Sequence, residues 1–167
     1  IEGQRRAEKL AKSTAISRFI RTGSYDEDLA RAVAEADLVF EAVSEDLALK
    51  RVYLQKIDEL RRPDAIVATV SSGLSIATMA AVGGPSFAKH FLGIHFFNPP
   101  NVIVGCELIP HAGSDPLVVA DVTELLTERL GRELVRTSDT PAFCGNRVGF
   151  KVLNECAQLA EKFGAAY

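Results

Sequence analysis

Asp37-Leu38-Val39-Phe40-Glu41-Ala42-Val43 and Ala65-Ile66-Val67-Ala68-Thr69-Val70 are two short, mostly apolar runs, and the residues between them place Leu49, Val52, Tyr53, Leu54, Ile57 and Leu60 on or near one helical face. A brief apolar run fits a strand buried on both sides, whereas apolar residues spaced by three and four fit an amphipathic helix. Strand, helix, strand is the repeating unit of a parallel α/β sheet, in which right-handed crossovers cover both faces. Ligands of such sheets bind at the carboxyl ends of the strands, where Glu45, Ser71 and Ser72 fall. Working outward, the apolar spacing predicts helices over 4–21 and 26–35 before this unit, and a helix from about Ser75 that Gly83-Gly84-Pro85 ends. Further on it predicts strands over 91–97, 102–109 and 132–137, with a helix over 115–130 opened by Ser114-Asp115-Pro116 and closed by Gly131. The break Asp139-Thr140-Pro141-Ala142-Phe143 then precedes a long helix over 146–163.

The 167 residues suffice for about one domain, and 47% apolar with 25% charged residues is a globular composition. A net charge of −3 with basic residues spread along the chain gives no nucleic-acid footprint and no polybasic membrane surface. No apolar run is long enough to span a bilayer, and no signal peptide is evident. Cys106, Cys144 and Cys156 are odd in number and lack zinc-site spacing, so no metal is expected and a reducing, cytoplasmic setting is the simplest reading.

Chemistry concentrates at His95, in the run Gly93-Ile94-His95-Phe96-Phe97-Asn98-Pro99, and at Glu107, twelve positions later in an apolar stretch. A buried carboxylate needs a partner, and imidazole suits proton transfer near neutral pH. Two adjacent strands joined by a turn at residues 98–101 would set the two side chains together as an acid-base pair. The alternative is a satisfied core histidine beside an ordinary strand glutamate.

Four segments, residues 36–47, Ser72-Gly73-Leu74-Ser75-Ile76, His95-Phe96-Phe97-Asn98-Pro99 and residues 139–147, resemble the 3-hydroxyacyl-CoA dehydrogenase family in order and spacing, with Glu107 correctly placed. The resemblance implies a partial, doubly wound Rossmann-like NAD-binding domain over residues 1–140, and the first helix of an all-helical, dimerising domain over 141–167. It implies NAD-dependent oxidation of the 3-hydroxyl of an acyl-CoA thioester by a homodimer. His95 becomes the general base, Glu107 the group that orients it, and Ser72 and Asn146 the polar contacts of the substrate oxygen and nicotinamide. Glu45, Lys50, Ser72 and Asn98 fall at cofactor positions. On this reading loss of Glu107's charge should hurt less than loss of His95. Plainer roles stay open: Ser72 or Asn146 as helix caps, Glu45 and Asp46 as first-turn acids, and Lys50 as a solvated lysine.

Departures from the family pattern bear on the site. The usual Asn-Thr-Ser-Ser reads Val70-Ser71-Ser72-Gly73, a glycine before phenylalanine is Ala142, and Pro-Val-Pro reads Pro100-Asn101-Val102. The 167 residues contain no G-x-G-x-x-G turn, so the family's first two strands are expected upstream of Ile1 and most of the helical domain downstream of Tyr167. Three other functions compete: a dehydrogenase of a non-CoA hydroxy acid, a non-catalytic remnant or partner-binding scaffold, and a serine hydrolase using Ser71 or Ser72 with His95. The last lacks a G-x-S-x-G elbow.

Overall fold

A computed structural model describes residues 17–164; most of the helix expected over 4–21 lies outside them. The helices are α1 (Leu29–Glu35), α2 (Leu47–Leu60), α3 (Ile76–Ala80), α4 (Pro85–Lys89), α5 (Pro116–Glu124) and α6 (Gly145–Phe163). The strands are β1 (Leu38–Glu41), β2 (Ile66–Thr69), β3 (Phe91–Phe96), β4 (Gly105–Ile109) and β5 (Glu133–Arg136), in one sheet of order β1-β2-β3-β4-β5.

Strands β1, β2 and β3 are parallel, β4 runs antiparallel to β3, and β5 is parallel to β4. The sheet is therefore mixed, where the strand-helix alternation alone suggested a parallel one. The cause is local, because the chain from Phe97 to Val104 holds no helix and is too short to carry it back for a parallel crossover. Residues 102–104, expected in the strand, form the exposed end of this connection instead. Gly84-Pro85 also differs from expectation: it ends one helix but opens α4, with proline in the first turn where a missing N–H is harmless.

Alternation along the strands sorts side chains to two faces. On one, Leu54 and Ile57 of α2, Ile76 and Met79 of α3 and Phe87 of α4 pack with Val67, Phe91, Ile109 and Phe143. On the other, Val118, Val119, Val122 and Leu126 pack on Ala68, Leu92, Ile94, Cys106 and Leu108. Residues 125–129, expected as plain α-helix, continue α5 as one π-helical turn. Gly93 belongs to the first face, where an added Cβ would lie 2.6 Å from Ile76 Cδ1 and 3.3 Å from Ile109 Cβ, so a larger residue would make the Ile76 side chain shift. Glu41, Thr69, His95 and Glu107 occupy that same face by strand parity, which fixes the site's polar groups beneath α2 and the start of α6. Helix α6 contributes no buried residue. None of the helices among the described residues is long and apolar enough to cross a membrane.

Candidate active site

His95 and Glu107 are directly opposed partners of the antiparallel β3–β4 pair. Their side chains meet with His95 Nδ1 2.7 Å from Glu107 Oε2, and both residues are buried. A carboxylate can only accept, so Nδ1 carries the proton and donates, which leaves the lone pair of the neutral ring on Nε2. No hydrogen bond to Nε2 is made among the described residues. The ring's plane is held by Phe97, edge-on at 4.9 Å between centroids, and by Phe143 at 5.8 Å.

The second oxygen of Glu107 is equally committed. Oε1 accepts the backbone N–H groups of Cys144 and Gly145, each at 2.9 Å, at the N-terminus of the 19-residue helix α6. Free N–H groups and the positive end of the helix dipole favour an anion there. Reaching this position requires Ala142 (φ 63°) and Phe143 (φ 49°) to adopt consecutive left-handed conformations, which are unfavourable for residues with a Cβ. Burial of Phe143 in the core holds the turn. Asp139 pins its start, accepting from Ser75 Oγ and from the N–H groups of Ile76 and Ala77 at 2.8–3.1 Å. At Gly145 an added Cβ would overlap the Phe97 ring that packs on His95.

Ser72 lies in the loop after β2 and is exposed. Its backbone is fixed on both sides of Cα: Glu45 Oε1 accepts its N–H at 2.8 Å, and its carbonyl accepts from Asn146 Nδ2 at 2.9 Å. The Ser72 hydroxyl makes no hydrogen bond among the described residues. Ser75, not Ser72, caps α3, accepting the Thr78 N–H. Asn146 likewise caps nothing, since its side chain crosses to Ser72. Ser71 is the buried serine of the pair, donating to Glu45 Oε1 and accepting the Leu74 N–H at 3.0 Å. Neither serine bonds to His95, so the nucleophile-base contact of a hydrolase is lacking.

Neither Glu45 nor Asp46 is a first-turn acid: Asp46 is the N-cap of α2, accepting the Leu49 N–H at 2.8 Å, whereas Glu45 turns away to the Ser71–Ser72 loop. Lys50 is not a solvated lysine: its side chain is 1% exposed, donating to both Glu41 oxygens at 2.9 and 3.1 Å and to the Val43 carbonyl at 3.0 Å. The ammonium also lies 3.6 Å from Glu45 Oε2. Asn98 is exposed at the end of β3, with its side chain unbonded among the described residues. Sequence reasoning passed over Glu41, Thr69, Asp139 and the Cys144 and Gly145 amides. Glu41 had a readable signal, as a lone acid inside the apolar run 38–43.

Residues 2–140 match the model of the 3-hydroxyacyl-CoA dehydrogenase NAD binding domain. A probable 3-hydroxyacyl-CoA dehydrogenase of Deinococcus radiodurans is 33% identical over 148 residues, 89% of this chain and 42% of that protein. The 5-formyl-3-hydroxy-2-methylpyridine 4-carboxylate 5-dehydrogenase of Mesorhizobium japonicum is 33% identical over 86% of this chain and 46% of its own length. Among solved structures, 3-hydroxybutyryl-CoA dehydrogenase from Escherichia coli aligns with a TM-score of 0.79 at 29% identity, over 98% of this chain and 34% of that one. The chain thus spans less than half the length of these relatives. With residues 2–140 of its 167 matched by the family's NAD binding domain, the chain belongs to the 3-hydroxyacyl-CoA dehydrogenase family.

Proposed function

We propose that this chain carries the proton-transfer site of an NAD-dependent dehydrogenase that oxidises the 3-hydroxyl of a 3-hydroxyacyl-CoA to the 3-oxo thioester. The observation that carries the reading is the buried His95–Glu107 pair, with Nδ1 engaged and Nε2 left as the basic nitrogen. His95 Nε2 takes the hydroxyl proton, and Glu107 holds the ring in one tautomer and stabilises the cation that forms. The Ser72 hydroxyl and the second N–H of the Asn146 amide hydrogen-bond the oxygen as it passes from alcohol to carbonyl, or the nicotinamide beside it. Glu45, 43% exposed at the carboxyl end of β1, together with Ser72 and Asn98 offers the acceptors and donors that ribose hydroxyls and a carboxamide require. That donor set fits NAD, which when bound accepts the hydride.

The proposal extends to assembly and setting. Residues 141–167 begin a helical domain through which two copies pair, because Val148, Val152, Leu159 and Phe163 of α6 are each more than half exposed. Three free cysteines suit the cytoplasm. Val70 in place of an expected polar group, and the pyridine-carboxylate relative, favour as a second reading a hydroxy acid without coenzyme A.

The test is steady-state oxidation of 3-hydroxybutyryl-CoA and of free 3-hydroxybutyrate by the protein as its gene encodes it. His95→Gln is expected to lower kcat by about 100- to 10,000-fold with NAD affinity nearly unchanged. Near-normal kcat in that variant would overturn the assignment, and turnover of the free acid alone would favour the second reading.

A further inference from the structure

Glu41 and Lys50 form a salt bridge with both side chains 1% exposed, at the carboxyl end of β1. A buried ion pair is seldom a stabilising device, since apolar residues of similar volume hold a fold as well or better. Two of its bonds close the chain just after β1, where Glu41 Oε1 accepts the Val43 N–H at 2.8 Å and Lys50 Nζ donates to the Val43 carbonyl at 3.0 Å; the others run toward the Ser71–Ser72 loop. Glu41 Oε2 accepts the Thr69 hydroxyl at 2.7 Å across the β1–β2 register, and Thr69 Oγ1 in turn accepts the Ser71 N–H at 3.3 Å. On the other side Lys50 Nζ reaches Glu45 Oε2 at 3.6 Å, and Glu45 Oε1 receives the Ser71 hydroxyl at 2.5 Å and the Ser72 N–H at 2.8 Å. Two paths from one buried carboxylate therefore converge on the Ser71–Ser72 peptide, and the next peptide is tied through the Ser72 carbonyl to Asn146.

We infer that Glu41 is a positioning residue, which acts through Thr69 and through Lys50 and Glu45 to hold Ser72 with its hydroxyl free. This deepens the proposed dehydrogenase reading and rests on Ser72 serving that site. Without Glu41, Glu45 is the carboxylate left within 4 Å of the Lys50 ammonium among the described residues. Closing the 3.6 Å gap between them would draw Glu45 off the Ser72 N–H. With Lys50 removed as well, Thr69 still loses its acceptor and Glu45 loses its ammonium, so both supports of the Ser71–Ser72 loop go although the volume is kept.

The test compares Glu41→Gln with the double variant Glu41→Leu/Lys50→Met, which removes both buried charges at similar volume. Glu41→Gln is expected to unfold at lower temperature, and the double variant to regain wild-type thermal stability. In both, amide exchange at Ser72 should rise at least tenfold and the Asn146 side-chain amide resonances should move, while exchange at Val67 and Leu92 in the double variant stays at wild-type rates. In the gene-encoded protein kcat should fall about tenfold or more in both variants, so that activity and stability part company in the double variant. Unchanged Ser72 exchange and Asn146 resonances in a stable double variant would overturn the inference, as would kcat that recovers along with stability. A wild-type protein without dehydrogenase turnover would instead refute the proposed function; the exchange and resonance readouts still judge the role of Glu41.

Discussion

Replacing Glu107 by glutamine keeps shape and removes charge, and the structure says which way the new amide must face. Two backbone donors, the Cys144 and Gly145 N–H groups, point at the Oε1 position, so the amide oxygen belongs there. The NH2 group then falls at the Oε2 position, 2.7 Å from His95 Nδ1 in the native pair. Facing a donor, Nδ1 must accept, and the ring proton moves to Nε2. The opposite flip would set an NH2 against two N–H groups; losing two such bonds costs roughly 2–3 kcal/mol at about 1–1.5 kcal/mol each. At about 1.4 kcal/mol per tenfold, the base-competent tautomer drops to about 1–4%. Loss of the charge-assisted bond to the imidazolium removes roughly another factor of ten. Glu107→Gln should therefore lower kcat on the order of 1,000-fold, inside the range expected for deleting the base. The assay pairs kcat for 3-hydroxybutyryl-CoA oxidation with ¹⁵N shifts of the His95 ring, which report the protonated nitrogen. A variant within tenfold of wild type, or one whose ring proton stays on Nδ1, would refute the reasoning.

Ala142 at φ 63° should gain from glycine: relief of the left-handed strain, less the added freedom of the unfolded chain, leaves about 0.5–1 kcal/mol. Thermal unfolding of Ala142→Gly should shift upward by roughly 1–4 °C, and a lower Tm would contradict the strain assigned to this turn. The exposed α6 stripe predicts self-association that Leu159→Glu with Phe163→Glu abolishes, read by light scattering over a dilution series. A wild-type chain that stays monomeric throughout would exclude this pairing. Cysteine reactivity should split: burial pushes the Cys106 thiol up in pKa, with Arg132 opposing and Glu107 adding, while Cys144 and Cys156 are exposed. A thiol reagent should label two sites quickly in the native protein and Cys106 only on unfolding; rapid native labelling of Cys106 would place it wrongly in the core.

Much of this protein is decided locally and so is written in the sequence. Apolar runs and helical periodicity depend on neighbours a few residues away, which is why β1, α2, β2 and the long α6 stand close to where their patterns put them. The His95–Glu107 pair belongs to the same class, because a short turn between two strands fixes register and register fixes which side chains face each other. Tertiary structure decided the rest. Whether a strand runs parallel or antiparallel depends on how far its connection can travel, and the mixed sheet follows from the short chain between β3 and β4. Lys50 reads as a surface lysine on a helical pattern, yet it is buried because Glu41 ends the neighbouring strand beneath it. Asp139 caps a helix that begins more than sixty residues earlier, and Glu107 is completed by amides almost forty residues later. Such bonds join groups that only packing brings together, and no local pattern of residues encodes them.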